Sequence, residues 1–165
     1  MIATEQADTL PKRLHRLAAL HCRAKDGGLE RADLDLYHTE RATLVRVLVA
    51  RQPLEPGQLP RRSLRVSCHL TALIDFGDQT EPGTTVDIST GGCAVLLDHH
   101  RPVGFECQAA ISIPGGEPVR ARARVVYVRP DAHRFRVGIE FTSMSGSDTE
   151  RLDLLVFDTL LELLV

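Results

Sequence analysis

Tryptophan is absent from this sequence of 165 residues, and other aromatic side chains are few: two Tyr and five Phe. Proteins that bind single-stranded nucleic acid without base-specific contacts stack the bases on exposed aromatic rings, so this scarcity counts against that function. The formal net charge of −2 provides no overall basic field for nucleic acid or for an anionic membrane. We therefore expect no direct nucleic-acid partner.

Long apolar runs are also missing. No stretch approaches the roughly 18 consecutive apolar residues of a membrane-spanning helix, and the N-terminal residues lack the basic-then-apolar order of a secretory signal. The four cysteines show no CxxC or other metal-ligand spacing; they are Cys22, Cys68, Cys93 and Cys107. A reduced cysteine in an apolar run behaves as a small hydrophobic residue, which favours a cytoplasmic location.

Motifs of enzyme active sites are absent as well. The sequence contains no GxxxxGK[ST] phosphate loop, no HExxH zinc helix and no GxSxG nucleophile turn. The compact group that resembles metal ligands is Asp98-His99-His100. Adjacent side chains at a strand end point to opposite sides, so a surface turn is the favoured interpretation. We expect a protein that is not an enzyme and that holds no metal or cofactor.

The N-terminal third of the chain has helical character. Apolar residues at helical spacing predict a helix over 10–24 and a second one over 33–51, although Val45, Val47 and Val49 add strand propensity to the end of the second. Three prolines and a glycine then indicate a linker. The predicted divisions are a helical segment over 1–51, a linker over 52–60, a β domain over 61–145 and a C-terminal helix over 146–165.

The texture changes from Arg65 onward, where short apolar runs alternate with turn residues. We predict strands over 65–74, 82–88, 92–98, 105–113, 118–129 and 134–142. Six short strands at this spacing are typical of a small antiparallel barrel or sandwich, so the fold class is mainly β with helical flanks. The C-terminal helix opens with Ser147 and Glu150 at the spacing of a capping box. Its apolar face is wider than contact with one barrel surface requires. We expect the N-terminal helices, a second subunit or a partner to cover the remaining apolar side chains.

Two short polar stretches carry the candidate site. They are Arg61-Arg62-Ser63-Leu64-Arg65 and Asp87-Ile88-Ser89-Thr90-Gly91-Gly92. Guanidinium groups bind phosphate oxygens and the O6 and N7 atoms of guanine, whereas a carboxylate accepts hydrogen bonds from the N1 and N2 edge of that base. A ligand in which phosphates join guanines fits this inventory. A solvated basic edge and a simple hairpin turn are the alternative interpretations.

In order and separation, these stretches resemble the RxxxR and DxSxxG motifs of the PilZ domain family, whose members bind the bacterial second messenger cyclic di-GMP. The similarity covers about residues 59–145, because CAVLL follows the second motif, ARARVVYV comes next, and VGIEF matches the Gly-aromatic ending of the family's last strand. The resemblance implies a six-stranded antiparallel barrel. It also implies that the RxxxR segment is a mobile arm, which cyclic di-GMP orders against the barrel.

The resemblance also assigns a ligand-binding role to particular residues. The first motif supplies arginines that contact phosphate and guanine, with one more arginine between them, and the second supplies a polar pair and a glycine. These residues are Arg61, Arg62, Arg65, Asp87, Ser89 and Gly92. Every motif position is matched, so the resemblance predicts a member that binds the ligand.

Two functions follow from the sequence. The first is a cytoplasmic cyclic di-GMP receptor, acting on an unidentified downstream protein in motility or biofilm control, in which binding fixes the arm at 58–65 and moves the N-terminal helices or changes assembly. The second is an adaptor that uses the same fold without nucleotide and assembles through its apolar terminal helices. A homo-oligomer is expected in either case.

Overall fold

The computed structural model describes residues 9–54, 56 and 61–165, which form three helices and seven strands. In chain order these elements are α1 (Leu10–Lys25), α2 (Arg31–Arg51), β1 (Val66–Ser67), β2 (Thr71–Asp75), β3 (Thr80–Ser89), β4 (Gly92–Leu97), β5 (Glu106–Ile111), β6 (Val119–Asp131), β7 (Arg134–Met144) and α3 (Gly146–Leu164).

Six of the strands close into an antiparallel barrel. The order around it is β3-β2-β5-β6-β7-β4, and β4 pairs back onto β3 to complete the ring. The short strand β1 is additional and pairs with β3 through Val66–Ile88 and Ser67–Asp87. The predicted barrel is thereby confirmed, with one strand more than the six expected.

Alternation along the strands separates the core from the outer surface. In β6, alternate side chains are buried and belong to the core, namely Val119, Ala121, Ala123 and Val125. Between them Arg120, Arg122 and Arg124 are exposed, as the period of two in a strand requires. The basic stripe in the sequence is therefore the outer face of an amphipathic strand, where Arg124 Nη2 lies 2.7 Å from Glu140 Oε2.

The continuous strand predicted over 65–74 is wrong, since residues 68–70 interrupt it. The cause is Thr85 of β3, whose side chain is fully buried. Its hydroxyl accepts a hydrogen bond from the Leu70 amide at 2.8 Å and donates to the Cys68 carbonyl at 2.5 Å. The Thr85 side chain thus satisfies backbone groups that a partner strand would otherwise bond. Next to it, the pairing of β3 with β4 shifts register between Thr85 and Asp87.

The N-terminal helices form an antiparallel pair within their own unit. The helix α1 has Pro11 in its first turn, where no amide donor is needed, and it ends before Gly27, whose φ of +69° suits the left-handed turn there. Buried His21 Nδ1 lies 2.7 Å from the Tyr37 hydroxyl. The residues 45–49 are helical, so the helical interpretation of this segment is confirmed.

The C-terminal helix is capped two residues earlier than predicted. Its cap is Ser145, whose hydroxyl accepts a hydrogen bond from the Asp148 amide at 3.1 Å. The capping box predicted at Ser147 and Glu150 is therefore wrong, because Ser147 already lies inside the helix. Buried side chains of α3 include Leu152, Val156 and Phe157.

The chain forms two compact units: one is Arg61–Thr159, and the other combines the residues before Arg61 with Leu160–Val165. The domain boundaries predicted from the sequence stay predictions. The predicted linker, 52–60, lies largely outside the described residues, which include only 52–54 and 56 of it. In the described part of the chain, no helix combines the length and the apolar character that a membrane crossing requires.

Candidate ligand-binding cleft

The barrel unit brings the two polar stretches together at one carboxylate, that of Asp87. Arg65 Nη1 lies 3.3 Å from Asp87 Oδ1, and Arg136 Nη2 donates a hydrogen bond to Oδ2 at 3.2 Å. The Asp87 side chain is 15% exposed, whereas those of Arg65 and Arg136 are 28% and 37% exposed, so water partly screens both pairs. The centre of the site is therefore the Asp87 carboxylate, with the guanidinium groups of Arg65 and Arg136 on either side.

The bulge in β3 and the register of the sheet explain how Asp87 reaches this position. Beyond the register shift, Asp87 pairs with Ala94 of β4, and Ala94 pairs with Gly138 of β7. Gly138 in turn pairs with Tyr127 of β6, and a Cβ at Gly138 would lie 2.1 Å from the Tyr127 ring atom Cε1. Two small residues therefore leave a shallow floor between Asp87 and the tyrosine ring.

The turn that follows Asp87 is shaped by Ser89. Its hydroxyl donates to the Gly92 carbonyl at 3.2 Å and accepts from the Gly91 amide at 3.2 Å, and the residue is 2% exposed. Neither glycine has a positive φ. A Cβ at Gly92 would lie 2.2 Å from the Ile139 carbonyl oxygen, so in this structure the glycine is needed for the close approach of β4 to β7.

A cleft of about 210 Å³ lies beside this turn. Its walls come from the arm, the β3–β4 turn and the last two strands, and they include Arg65, Gly91, Gly92, Cys93, Val126, Tyr127, Gly138, Ile139 and Glu140. Pockets for whole small molecules run from about 300 to 1,000 Å³. At about 210 Å³, the cleft is smaller than this range.

The remaining arginines of the first stretch differ from Arg65 in that neither lines the cleft. Arg61 is partly exposed and Arg62 is exposed, whereas Leu64 and Val66 are buried. Burial of alternate residues anchors the end of the arm next to β1 and turns Arg65 outward. Of the six predicted ligand residues, Arg65 and Gly92 line the cleft. Asp87 and Ser89 do not line it, but Asp87 contacts Arg65 and Ser89 contacts Gly92. Arg61 and Arg62 are not among the lining residues either.

The cysteine in the cleft is chemically quiet. Burial, and secondarily the negative charge of Asp87, raises the pKa of the Cys93 thiol to about 12. A thiol is a nucleophile or metal ligand only as the thiolate, so Cys93 acts here as a small packing residue. The predicted surface turn at 98–100 shows ordinary pairing: His99 Nδ1 lies 2.7 Å from Glu81 Oε1, and Arg134 Nε lies 3.1 Å from Asp98 Oδ1. Among the described residues, no group of three or more potential ligands is placed to hold a metal ion.

Comparison with known proteins now bears on this cleft. The family model for the PilZ domain matches residues 60–158. The chain belongs to the PilZ domain family. The match includes both polar stretches, the whole barrel and most of α3. A search of curated proteins found no match.

Three solved structures illustrate the similarity of fold. The inhibitor of motility MotI/DgrA of Bacillus subtilis is 19% identical, with a TM-score of 0.57 over 64% of this chain and 53% of its own. YcgR of Escherichia coli, solved in complex with c-di-GMP, is 20% identical, with a TM-score of 0.55 over 62% and 47%. The MrkH–c-di-GMP complex of K. pneumonia is 16% identical, with a TM-score of 0.56 over 64% and 55%. This PilZ chain therefore spans about half the length of these proteins.

Two residues of this PilZ site were not found from the sequence, Arg136 and Tyr127. Arg136 is 49 residues from Asp87 along the chain, and no local spacing connects them. Burial lowers the pKa of the Arg136 guanidinium, but contacts with Tyr127 and Asp87 outweigh that effect and raise it. The sequence held only a weak signal for Arg136. It lies two residues before Gly138 in a predicted strand, so both share one face of the strand, but the sequence does not say whether that face points outward.

Proposed function

We propose that this protein is a receptor for cyclic di-GMP. One observation carries the proposal: Arg65 from the first polar stretch lies 3.3 Å from Asp87 of the second, and Arg65 also lines a cleft on the barrel. A guanidinium that binds phosphate and a carboxylate that accepts from the Watson–Crick edge of guanine are then neighbours. Family membership and the complexes of YcgR and MrkH with c-di-GMP support the choice of ligand.

The size of the cleft suggests how the ligand is held. A volume of about 210 Å³ accepts one guanine beside Tyr127 and leaves the second nucleotide outside. Arg61 and Arg62, which precede Arg65 in the same stretch, would then contact the phosphates and the outer base. Binding would reorganise the arm around the ligand, and through residues 52–60 this change would reach the N-terminal helices or the assembly of the chain.

The receptor acts without catalysis in this proposal, and it acts in the cytoplasm. All four thiols are free, and two of them are buried in the barrel, which agrees with a reducing compartment. The signal passes to a downstream protein through the helical unit. This unit exposes apolar side chains that a second copy or a partner would cover, among them Leu34, Leu36 and Val47.

Calorimetric titration of the full chain with cyclic di-GMP tests the proposal. The wild type should bind with micromolar or tighter affinity, and Arg65→Ala and Asp87→Ala should each weaken binding about 10- to 100-fold, since each removes a charge-assisted contact. Asp98→Ala is the matched control, because it deletes a carboxylate that is paired with Arg134 outside the cleft. A wild-type protein that binds no guanine dinucleotide refutes the proposal.

The alternative is an adaptor that uses the PilZ fold without nucleotide. It is favoured by the apolar side chains that remain exposed on α1 and α2. Solution mass by light scattering separates the two functions. An oligomer whose mass is indifferent to cyclic di-GMP, in a protein that shows no heat of binding, supports the adaptor.

A further inference from the structure

The two oxygens of the Asp87 carboxylate have unequal partners. Oδ2 accepts a hydrogen bond from Arg136. Oδ1 is shielded from solvent and accepts no hydrogen bond from any residue in the described part of the chain, although Arg65 Nη1 lies 3.3 Å away. Oδ1 is therefore the acceptor with unused capacity, and it lies on the side of the arm.

The two arginines also differ in how firmly the fold holds them. Arg136 lies within the eleven-residue strand β7 and pairs with Leu96 on one side and Arg129 on the other. Arg65 precedes the two-residue strand β1 and belongs to no strand. The backbone of Arg136 is thus held on both sides by the sheet. That of Arg65 lies outside the strands and is anchored through buried Leu64 and Val66 beside it. We therefore treat Arg136 as the fixed partner of the carboxylate and Arg65 as the movable one.

Packing gives the fixed arginine further support. Arg136 contacts the side chain of Tyr127 as well as Asp87. The tyrosine ring lies against Gly138, where no Cβ fits, and Arg129 lies 5.1 Å above the ring centroid. This row of contacts runs across the outer surface of β6, β7 and β3, and it fixes the direction from which Oδ2 is held.

A bound dinucleotide would compete for the movable partner. If Arg65 turns its planar fork to a phosphate, it can no longer remain beside Oδ1 in the same geometry. A partly buried carboxylate that loses one of its two positive neighbours is strongly dependent on the other. The remaining neighbour then decides whether Oδ1 still points where guanine can donate to it.

We propose that Arg136 is a positioning residue of the ligand site, which holds Asp87 through Oδ2 and so keeps Oδ1 available to guanine when Arg65 moves to the ligand. This inference rests on the proposed function. It adds a residue outside both motifs to the site. The two arginines then have different roles: Arg136 orients the Asp87 carboxylate, and Arg65 leaves that carboxylate to bind the ligand.

A double-mutant cycle by calorimetry with cyclic di-GMP tests the inference, on the full chain. Arg136→Gln should weaken binding about 10-fold or more, whereas Arg134→Gln, the control on the same strand, should stay within about 2-fold. Since Arg136 acts through Asp87, the double variant Arg136→Gln/Asp87→Asn should bind about as weakly as Asp87→Asn alone. Arg136→Lys, which keeps the charge without the fork, should recover only part of the loss.

The outcomes separate this inference from the proposed function. If the fold-losses of affinity of the two single variants multiply in the double variant, Arg136 contacts the ligand independently of Asp87. If Arg136→Lys binds as tightly as the wild type, the effect of Arg136 is one of charge alone. Either result overturns the positioning role. If the wild type binds cyclic di-GMP and Arg136→Gln binds it equally well, the positioning role is wrong but the proposed receptor function stands. Absence of wild-type binding overturns both. Thermal melts show whether Arg136→Gln has unfolded. If it has, Arg136→Lys is the deciding variant: a partial loss of affinity for cyclic di-GMP supports the positioning role, and wild-type affinity overturns it.

Discussion

Replacement of Gly92 by alanine is the sharpest test of how the second motif works. In the structure, a Cβ at this position would lie 2.2 Å from the Ile139 carbonyl oxygen and 3.2 Å from the Glu140 Cα. Both contacts are backbone of β7, so no side chain can rotate away. Strands β4 and β7 would have to separate by about 1 Å, at the point where Gly92 pairs with Glu140.

The magnitude follows from two losses. Overpacking costs about 1–3 kcal/mol, and the ladder hydrogen bonds that lengthen beside it contribute about 1 kcal/mol each. The smaller entropy of the unfolded alanine chain offsets about 0.4–1 kcal/mol. We expect Gly92→Ala to lower the free energy of unfolding by about 2–4 kcal/mol, or the melting temperature by roughly 5–15 °C in a chain of this length.

The neighbouring glycine is a matched control. A Cβ at Gly91 would meet the Ser63 hydroxyl oxygen at 3.4 Å and the Ser89 hydroxyl oxygen at 3.8 Å. These are side-chain contacts near normal distance, so Gly91→Ala should change the free energy of unfolding by less than about 0.5 kcal/mol. Urea denaturation followed by circular dichroism measures both. Equal stabilities for the two variants would show that the packing explanation of Gly92 is wrong.

Two further predictions concern the barrel core. Thr85→Val should destabilise the barrel by about 2–3 kcal/mol, because it leaves two backbone partners without their hydrogen bonds; exposed Thr84→Val should be near neutral in the same denaturation assay, and equal effects would contradict the account of the interrupted strand. Burial raises the pKa of Cys93 to about 12 and of Cys107 to about 11, so the folded state keeps protons that the unfolded state releases above pH 9. The free energy of unfolding should therefore fall as pH rises from 9 to 11, by up to about 1.4 kcal/mol per pH unit for each thiol, and Cys93→Ala should reduce that slope; an unchanged slope in this variant would argue against it.

Helices and most strands were predictable because their signals are local. The helices over 10–24 and 33–51 and the strand over 134–142 come from periodicity and turn residues, and the structure has them at 10–25, 31–51 and 134–144. The two errors have different causes, one distant in the chain and one local. The strand predicted over 65–74 is divided by Thr85, and the cap of α3 moved to Ser145 because its hydroxyl, and not that of Ser147, meets the Asp148 amide.

The candidate site shows the same division. The order and spacing of the motifs predict that the stretches holding Arg65 and Asp87 meet at one site, and the structure has these two side chains 3.3 Å apart. The roles of Arg61 and Arg62 stay predictions. Arg136 was not predicted, since its contact with Asp87 depends on the stagger of the barrel and on the bulge in β3.

By itself, the sequence determined the fold family, the strand and helix types, and the chemistry of the two polar stretches, because periodicity, turn residues and motif spacing are properties of neighbouring residues. Tertiary structure alone decided which face of each strand is outside, that Gly92 is required by the backbone of β7, and that Arg65 and Arg136 both contact Asp87. Those facts depend on the register between strands distant in the chain, and a register is chosen by the whole barrel as it closes.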